Sequence, residues 1–518
     1  MHQTCISKSS GLVIQALIYN LAIVTKNTSM SVWRVKPVSA FEADMKKSDL
    51  KRVLTKWGLT SLGIGAIIGG GIFTLTGIAA HDYAGPALAL AFVIAGIGCM
   101  FASLCYAEFA SVLPVEGSAY AYAYGTVGEL FAWFIGWNLI LEYMMGATTV
   151  AVAWSGYFVK LLHLFGLNFP IQWCNDLATA TEKCAELGLD APSFAFNLPA
   201  FIITWLVTGV LVKGIKEAAN TNNIIVIVKV VVVLFVIVVG AFYINTDNWT
   251  PFIPAEIKSI GENGHETVKF GFGGVLTAAT IVFFAYIGFD AVSTQAGEAI
   301  NPKKDVPFAI IASLIICTVL YILVSLVLTG MVKYDQLDKA APVASAFSGI
   351  GINWAVFIIT IAATAGLTSV MLVMMLGQTR IFLGMAKDGL LPKGLFGALH
   401  PVFKTPYKST ILVGLIISIV AALTPIDKVS EMCSMGTLLA FAMVCVAVMI
   451  LRYKKPELER PYRTPAVYLI GTLGVLFNIF LMTQVRAATW KFFIIWGILG
   501  IIVYFAYSRR NSNLHKVD

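Results

Sequence analysis

Gly65-Ala66-Ile67-Ile68-Gly69-Gly70-Gly71-Ile72-Phe73 lies in the middle of an apolar run over 57–80. Three consecutive glycines make a continuous helix costly there, at about 1 kcal/mol each relative to alanine. Close packing against a neighbouring helix is the other use of small residues, but it asks for a spacing of four rather than three in a row. The stretch therefore reads as a break within a membrane-crossing helix.

Working outward, further apolar runs fall at 86–113, 127–159, 198–212, 224–242, 271–292, 306–331, 353–385, 411–424, 432–451, 466–485 and 492–507. With the first run this makes twelve spans, numbered 1 to 12 below. The composition requires them. Of 518 residues, 58% are hydrophobic and only 12% charged, which excludes a soluble globular protein, a disordered chain and a disulfide scaffold. A helix rising about 1.5 Å per residue needs about 20 residues to cross about 30 Å of hydrocarbon.

The net charge of +8 does not point to nucleic acid, because the basic residues sit in short loops between apolar runs. With an inside amino end, nine Lys and Arg lie in the leading tail and seventeen in the inner loops, helix ends and carboxyl tail, against nine outside. That bias places both termini in the cytoplasm of a multi-pass protein of the cell (inner) membrane. The first 29 residues hold a run from Gly11 to Val24 too short to span, so the preferred reading starts the protein at Met30. Cys174 and Cys184 share one outer segment, where an oxidising exterior could join them. The histidines lie at span ends, in loops or in tails, so no metal cluster, nucleophile and base pair or cofactor is expected, and the protein is not read as an enzyme.

Span 6 carries its own weak point at Tyr286-Ile287-Gly288-Phe289-Asp290, five spans after the first. Two interrupted helices in corresponding positions are the best sequence pointer to an inverted-repeat transporter. The expected architecture is all-α, with repeats over 57–244 and 271–451, an outer loop over 245–270, two peripheral helices within 452–507, and tails over 1–56 and 508–518. Backbone groups freed by a break are tolerated in the membrane only where they line a cavity. The half-helix starting near Gly71 aims amide hydrogens and a positive dipole end at the gap, and the one ending near Phe284 and Ala285 aims carbonyls there. One pole suits a carboxylate and the other an ammonium, which together describe a zwitterionic amino acid.

Ionisable residues inside the bilayer give the second signal, since a midplane charge costs about 2.5–3.5 kcal/mol even on the lenient insertion scale. Glu142 lies mid-span in span 3, Lys229 in span 5 and Asp290 after the span 6 glycine. Lys229 reads either as a proton-exchanging amine or as half of a buried ion pair with Glu142 or Asp290. Asp290 reads equally as a pocket residue or as the N-cap of the second half of span 6. Glu142 is a pocket residue or a structural carboxylate.

These residues resemble the amino acid, polyamine and organocation superfamily, and within it the cationic amino acid transporter family of bacteria and animals. The likeness rests on Gly65 to Phe73, on Pro114, Glu116, Gly117, Ser118, Ala119 and Tyr120, and on Gly136, Trp137, Asn138, Leu141, Glu142 and Tyr143. It continues through Lys229, Phe284 to Asp290, Glu298, Asn301, Pro302 and Pro307, and then Arg380, Met385, Ala386, Asp388, Gly389, Leu390 and Pro392. It implies a leucine-transporter-type fold of 5+5 inverted repeats with discontinuous helices 1 and 6, working by alternating access. By position, Gly70, Gly71 and Ile72 would take the substrate carboxylate on backbone amides, and Ile67, Phe284, Ala285 and Ile287 would offer carbonyls to its ammonium. Lys229 resembles the family lysine that couples transport to protonation.

The family name suggests cationic cargo, which an ionised Glu142 would favour. Met374, facing the same pocket by resemblance, would take up room that a guanidinium needs. The expectation is proton-coupled symport of L-amino acids with broad or cationic specificity. The rivals are a sodium-independent exchanger and a non-transporting amino acid receptor or accessory subunit. The partners expected are an L-amino acid, a proton and the bilayer; a small accessory membrane subunit is left open and oligomeric state is not read.

Overall fold

The computed structural model describes residues 34–37, 54–112, 118–214, 218–260, 266–294, 296 and 299–515. The segment containing Met30, the loop residues Pro114 to Gly117, and Glu298 lie outside the described residues.

Each of the twelve apolar runs becomes helical. Among the described residues seven helical stretches are long and apolar enough to cross a membrane, and spans 4, 5, 9 and 11 are the shorter apolar helices Leu198–Lys213, Ile225–Ala241, Tyr407–Leu423 and Val467–Thr483. Helix starts follow local chemistry. The Thr55 hydroxyl accepts from the Gly58 amide at 3.2 Å and opens span 1 at Lys56. The Asn197 side chain caps span 4 by accepting from the Ala200 amide, a role short polar side chains serve because the first amides of a helix lack partners.

The packing follows a five-span offset. Span 2 (Leu88–Val112) lies against span 7 (Pro302–Met331), span 3 (Glu129–Leu164) against span 8 (Asn353–Lys387), and span 4 against span 9. Each of these three helices thus meets its counterpart in the other half, as a pseudo-two-fold axis would arrange. Span 3 runs through the centre, with 83% of its apolar window buried, whereas the window of span 12 is 22% buried. Spans 11 and 12 are peripheral, with Leu469, Leu476, Ile495 and Ile502 facing outward, the normal surface of a chain solvated by lipid tails.

Two segments expected to be plain loops carry structure. Between spans 3 and 4 lie the helices Ile171–Cys174 and Leu177–Glu186, the second capped by Asp176. Between spans 5 and 6, Ile257–Ile260 and Glu266–Lys269 pair antiparallel, with Ile257 opposite Lys269. Cys174 and Cys184 are free thiols.

Candidate functional site

The first half of span 1, Lys56–Ile67, stops where Ile68 turns extended (φ −71°, ψ 101°), and the chain becomes helical again from Gly70. The interruption thus begins just ahead of the glycine triplet. Span 6 runs as Gly271–Phe283, tightens through Phe284–Tyr286, and opens at Ile287 (φ −61°, ψ 133°). Gly288 has φ +119°, a conformation open to glycine but strained for other residues.

The two interruptions meet. A Cβ at Gly71 would overlap the Cα and Cβ of Ala285, and one at Gly288 would come within 2.9 Å of the Ala66 carbonyl group. Close backbone approach therefore requires glycine at both positions, and at Gly288 the positive φ requires it as well. The Tyr321 hydroxyl of span 7 lies 2.9 Å from the Ile67 carbonyl oxygen and 3.0 Å from that of Ala285, pinning the two breaks together. Both had been expected to face a substrate ammonium; each carbonyl oxygen has a second lone pair that Tyr321 leaves open.

Lys229 is buried and sends its ammonium into the span 1 break, donating to Gly65 O at 2.6 Å and Ile68 O at 3.1 Å. Its aliphatic stem lies over Gly366 of span 8, where an added Cβ would come within 2.7 Å of Cδ. No carboxylate pairs with it among the described residues. The ion pair with Glu142 or Asp290 expected as one alternative does not form; the ammonium is held by the Gly65 and Ile68 carbonyls instead.

Those acids line a cavity with Ala66, Tyr143, Ile287, Gly288 and Met374. Asp290 accepts from the Tyr143 hydroxyl at 3.3 Å through Oδ2, whereas Oδ1 and both oxygens of Glu142 lack a hydrogen-bond partner among the described residues. The nearby Thr437 hydroxyl donates instead to Cys433 O at 3.0 Å. Unpaired buried carboxylate oxygens are expensive and point to a partner that arrives from outside the chain. The cavity holds about 10 Å³, space for about one water.

Ion pairs join the helices at both ends of the bundle. At the end bearing the termini, Lys36 pairs with Asp388 at 3.1 Å, and the Tyr120 hydroxyl donates to the same carboxylate at 2.8 Å. At the other end, Lys339 bridges Asp82 (3.3 Å) and Glu182 (2.9 Å). Burial acts against the Lys339 ammonium, but its hydrogen bond to Glu182 and the charge of Asp82 outweigh that and hold it above the ordinary lysine range.

Of the residues expected from sequence, Glu142, Ile287, Asp290 and Met374 line the cavity. Ile67, Gly70, Gly71, Ile72, Phe284 and Ala285 lie at the adjoining breaks, with the Phe284 ring 3.8 Å from where a Gly70 Cβ would stand. Tyr143, Tyr321 and Gly366 were missed as site residues. Tyr143 did appear in the span 3 motif, whereas a lone tyrosine or glycine in a long apolar helix carries no signal of its own.

The sequence is similar to that of known proteins over most of its length. The family model described as amino acid permease matches residues 54–505. A methylthioribose transporter of Bacillus subtilis (strain 168) is 42% identical over 486 residues, 94% of this chain and all of that protein. The branched-chain amino acid permease BcaP of the same organism is 44% identical, over 94% of this chain and 99% of the relative. A vacuolar cationic amino acid transporter 4 of Arabidopsis thaliana is 37% identical over 79% of this chain and 64% of its own length.

Proposed function

The chain belongs to the amino acid permease family, within the amino acid, polyamine and organocation superfamily, and from that premise we propose that it imports L-amino acids by proton-coupled symport through alternating access. The carboxylate would sit on the amides of Gly70, Gly71 and Ile72 at the positive end of the second half of span 1. The ammonium would take free lone pairs of Ile67, Phe284, Ala285 and Ile287. The bias of basic residues supports cytoplasmic termini in the cell membrane.

The observation that carries the reading is Lys229 bonded to the carbonyls of Gly65 and Ile68 with no acid paired to it among the described residues. A charged amine holds such carbonyls about twice as strongly as a neutral one. Proton loss from Lys229 therefore loosens its grip on the first half of span 1 and lets that half swing, opening the chamber. A potential of 100 mV supplies about 2.3 kcal/mol per charge moved, enough to concentrate a neutral amino acid about 40- to 50-fold.

Specificity is proposed to be broad or cationic. The relatives' names range from a thio-sugar through branched-chain to cationic amino acids, and the chamber offers two acids beside the apolar Ile287 and Met374. Competition of a radiolabelled substrate by all twenty amino acids, in proteoliposomes with an imposed pH gradient, tests the reading. Uptake into vesicles empty of amino acid is expected; uptake that needs internal amino acid and ignores the gradient would make the protein an exchanger.

A further inference from the structure

Away from the chamber, a groove of about 450 Å³ opens between the end of span 10 and the start of span 11. Its volume falls in the range of small-molecule sites. Its walls are Val127, Met449, Ile450, Tyr453, Lys454 and Tyr468. It lies at the end of the molecule that carries the carboxyl-terminal segment, since Glu129, two residues beyond Val127, accepts from the Tyr504 hydroxyl at 3.2 Å.

The chemistry of the groove is divided. Met449, Ile450 and Val127 make an apolar floor at the last turns of a membrane helix, while Tyr453 and Tyr468 are 79% and 56% exposed. Tyrosines with one wet end mark the level of lipid headgroups. Arg452 is committed to Glu108 through two bonds of 2.6 and 2.8 Å, whereas Lys454 has no acidic partner among the described residues. A soluble anion would have no use for the apolar floor, and a neutral lipid none for the ammonium.

We propose that this groove binds an anionic phospholipid, with an acyl chain along Met449 and Ile450 and the phosphate held by Lys454 between the two tyrosines. Basic pockets between membrane helices are the recurring form of such sites. The occupant touches both span 10, which packs on span 3 of the chamber wall, and peripheral span 11.

The test uses the full chain, purified in nonionic detergent and stripped of lipid. Phosphatidylglycerol and phosphatidylcholine with the same acyl chains are titrated in turn and bound lipid is counted by native mass spectrometry. Phosphatidylglycerol is expected to bind and phosphatidylcholine not. Lys454→Gln should weaken binding about fivefold, the effect of about 1 kcal/mol per basic residue near an anionic lipid. Lys454→Arg should retain it, and Lys428→Gln, the same charge loss at the other end of span 10, should leave it unchanged. Equal binding of the two lipids, undiminished phosphatidylglycerol on Lys454→Gln, or displacement by inorganic phosphate would overturn the proposal. So would efficient dimer cross-linking through Tyr468→Cys in lipid-free protein, which would make the groove a contact between copies.

Discussion

The ammonium of Lys229 reaches the carbonyl of Gly65 at 2.6 Å across 164 residues of chain. With its second bond to the Ile68 carbonyl, it ties span 5 to span 1 at the place where the first half of that helix stops. Lys229→Met keeps the length of the stem and removes the donor. It also removes the desolvation penalty of a buried ammonium, so the variant should fold. Uptake in proteoliposomes should lose its response to an imposed pH gradient while amino acid binding persists. A variant that still follows the gradient would remove Lys229 from the coupling.

Tyr321 lies within reach of one carbonyl in each broken helix, Ile67 and Ala285. Tyr321→Phe keeps the ring packed on Phe92 and Tyr286, at centroid distances of 5.3 and 5.5 Å, and leaves those carbonyls short of a donor. The expected loss is about 1–3 kcal/mol, seen as a lower unfolding temperature in detergent together with reduced uptake. If both quantities match the parent, the hydroxyl does not pin the breaks.

How far these features were readable differs from residue to residue. The break in span 1 was legible because a glycine triplet has few other uses in a helix. The one in span 6 was legible because Gly288 sits at the matching place five spans later. Glu142, Lys229 and Asp290 stood out because charge inside hydrocarbon is costly whatever its context. The partner of Lys229 was not legible. Which side of span 1 the amine meets depends on the rotation of span 5, and a run of Val and Ile does not fix that. Tyr321 and Gly366 were hidden for a related reason, since their roles are created by a neighbouring helix rather than by their own sequence surroundings.

Gly71 and Gly209 separate close approach from mere helix content. A Cβ at Gly71 would overlap Ala285, whereas nothing among the described residues lies within 4 Å of one at Gly209 in span 4. Gly71→Ala should cost about 1–3 kcal/mol by overpacking and suppress uptake. Gly209→Ala should be neutral or gain up to about 1 kcal/mol from helix propensity. Thermal unfolding of the two variants side by side checks this, and equal behaviour would contradict the contact between spans 1 and 6.

The bridge from Lys339 to Asp82 and Glu182 sets a pH expectation. The Lys339 ammonium is held above its ordinary value of 10.5, so its contribution is complete below that value and fades only as pH rises through the raised one. Lys339 is 33% and Glu182 55% exposed, which limits the bridge to about 0.5–1 kcal/mol. The stability difference between the parent and Lys339→Gln should stay constant from about pH 6 to 9 and shrink only in stronger alkali. A difference that vanishes near neutral pH would show that the bridge does not contribute as its geometry implies.

Glu142 offers the sharpest test of cargo. Its two oxygens are buried and unpartnered among the described residues, beside the equally buried Asp290. At about 4 Å and an effective dielectric of about 20, a charge pair is worth about 4 kcal/mol before desolvation is subtracted. If Glu142 greets a cationic side chain, Glu142→Gln should weaken competition by lysine and arginine at least about tenfold, or about 1.4 kcal/mol. Competition by small neutral amino acids should hold or improve, because the substitution also relieves repulsion of Asp290. Parallel competition curves on the parent and the variant decide it. An unchanged ratio of cationic to neutral competition would mean that Glu142 does not sense the side chain, and that its carboxylate serves the packing of spans 3 and 10 instead.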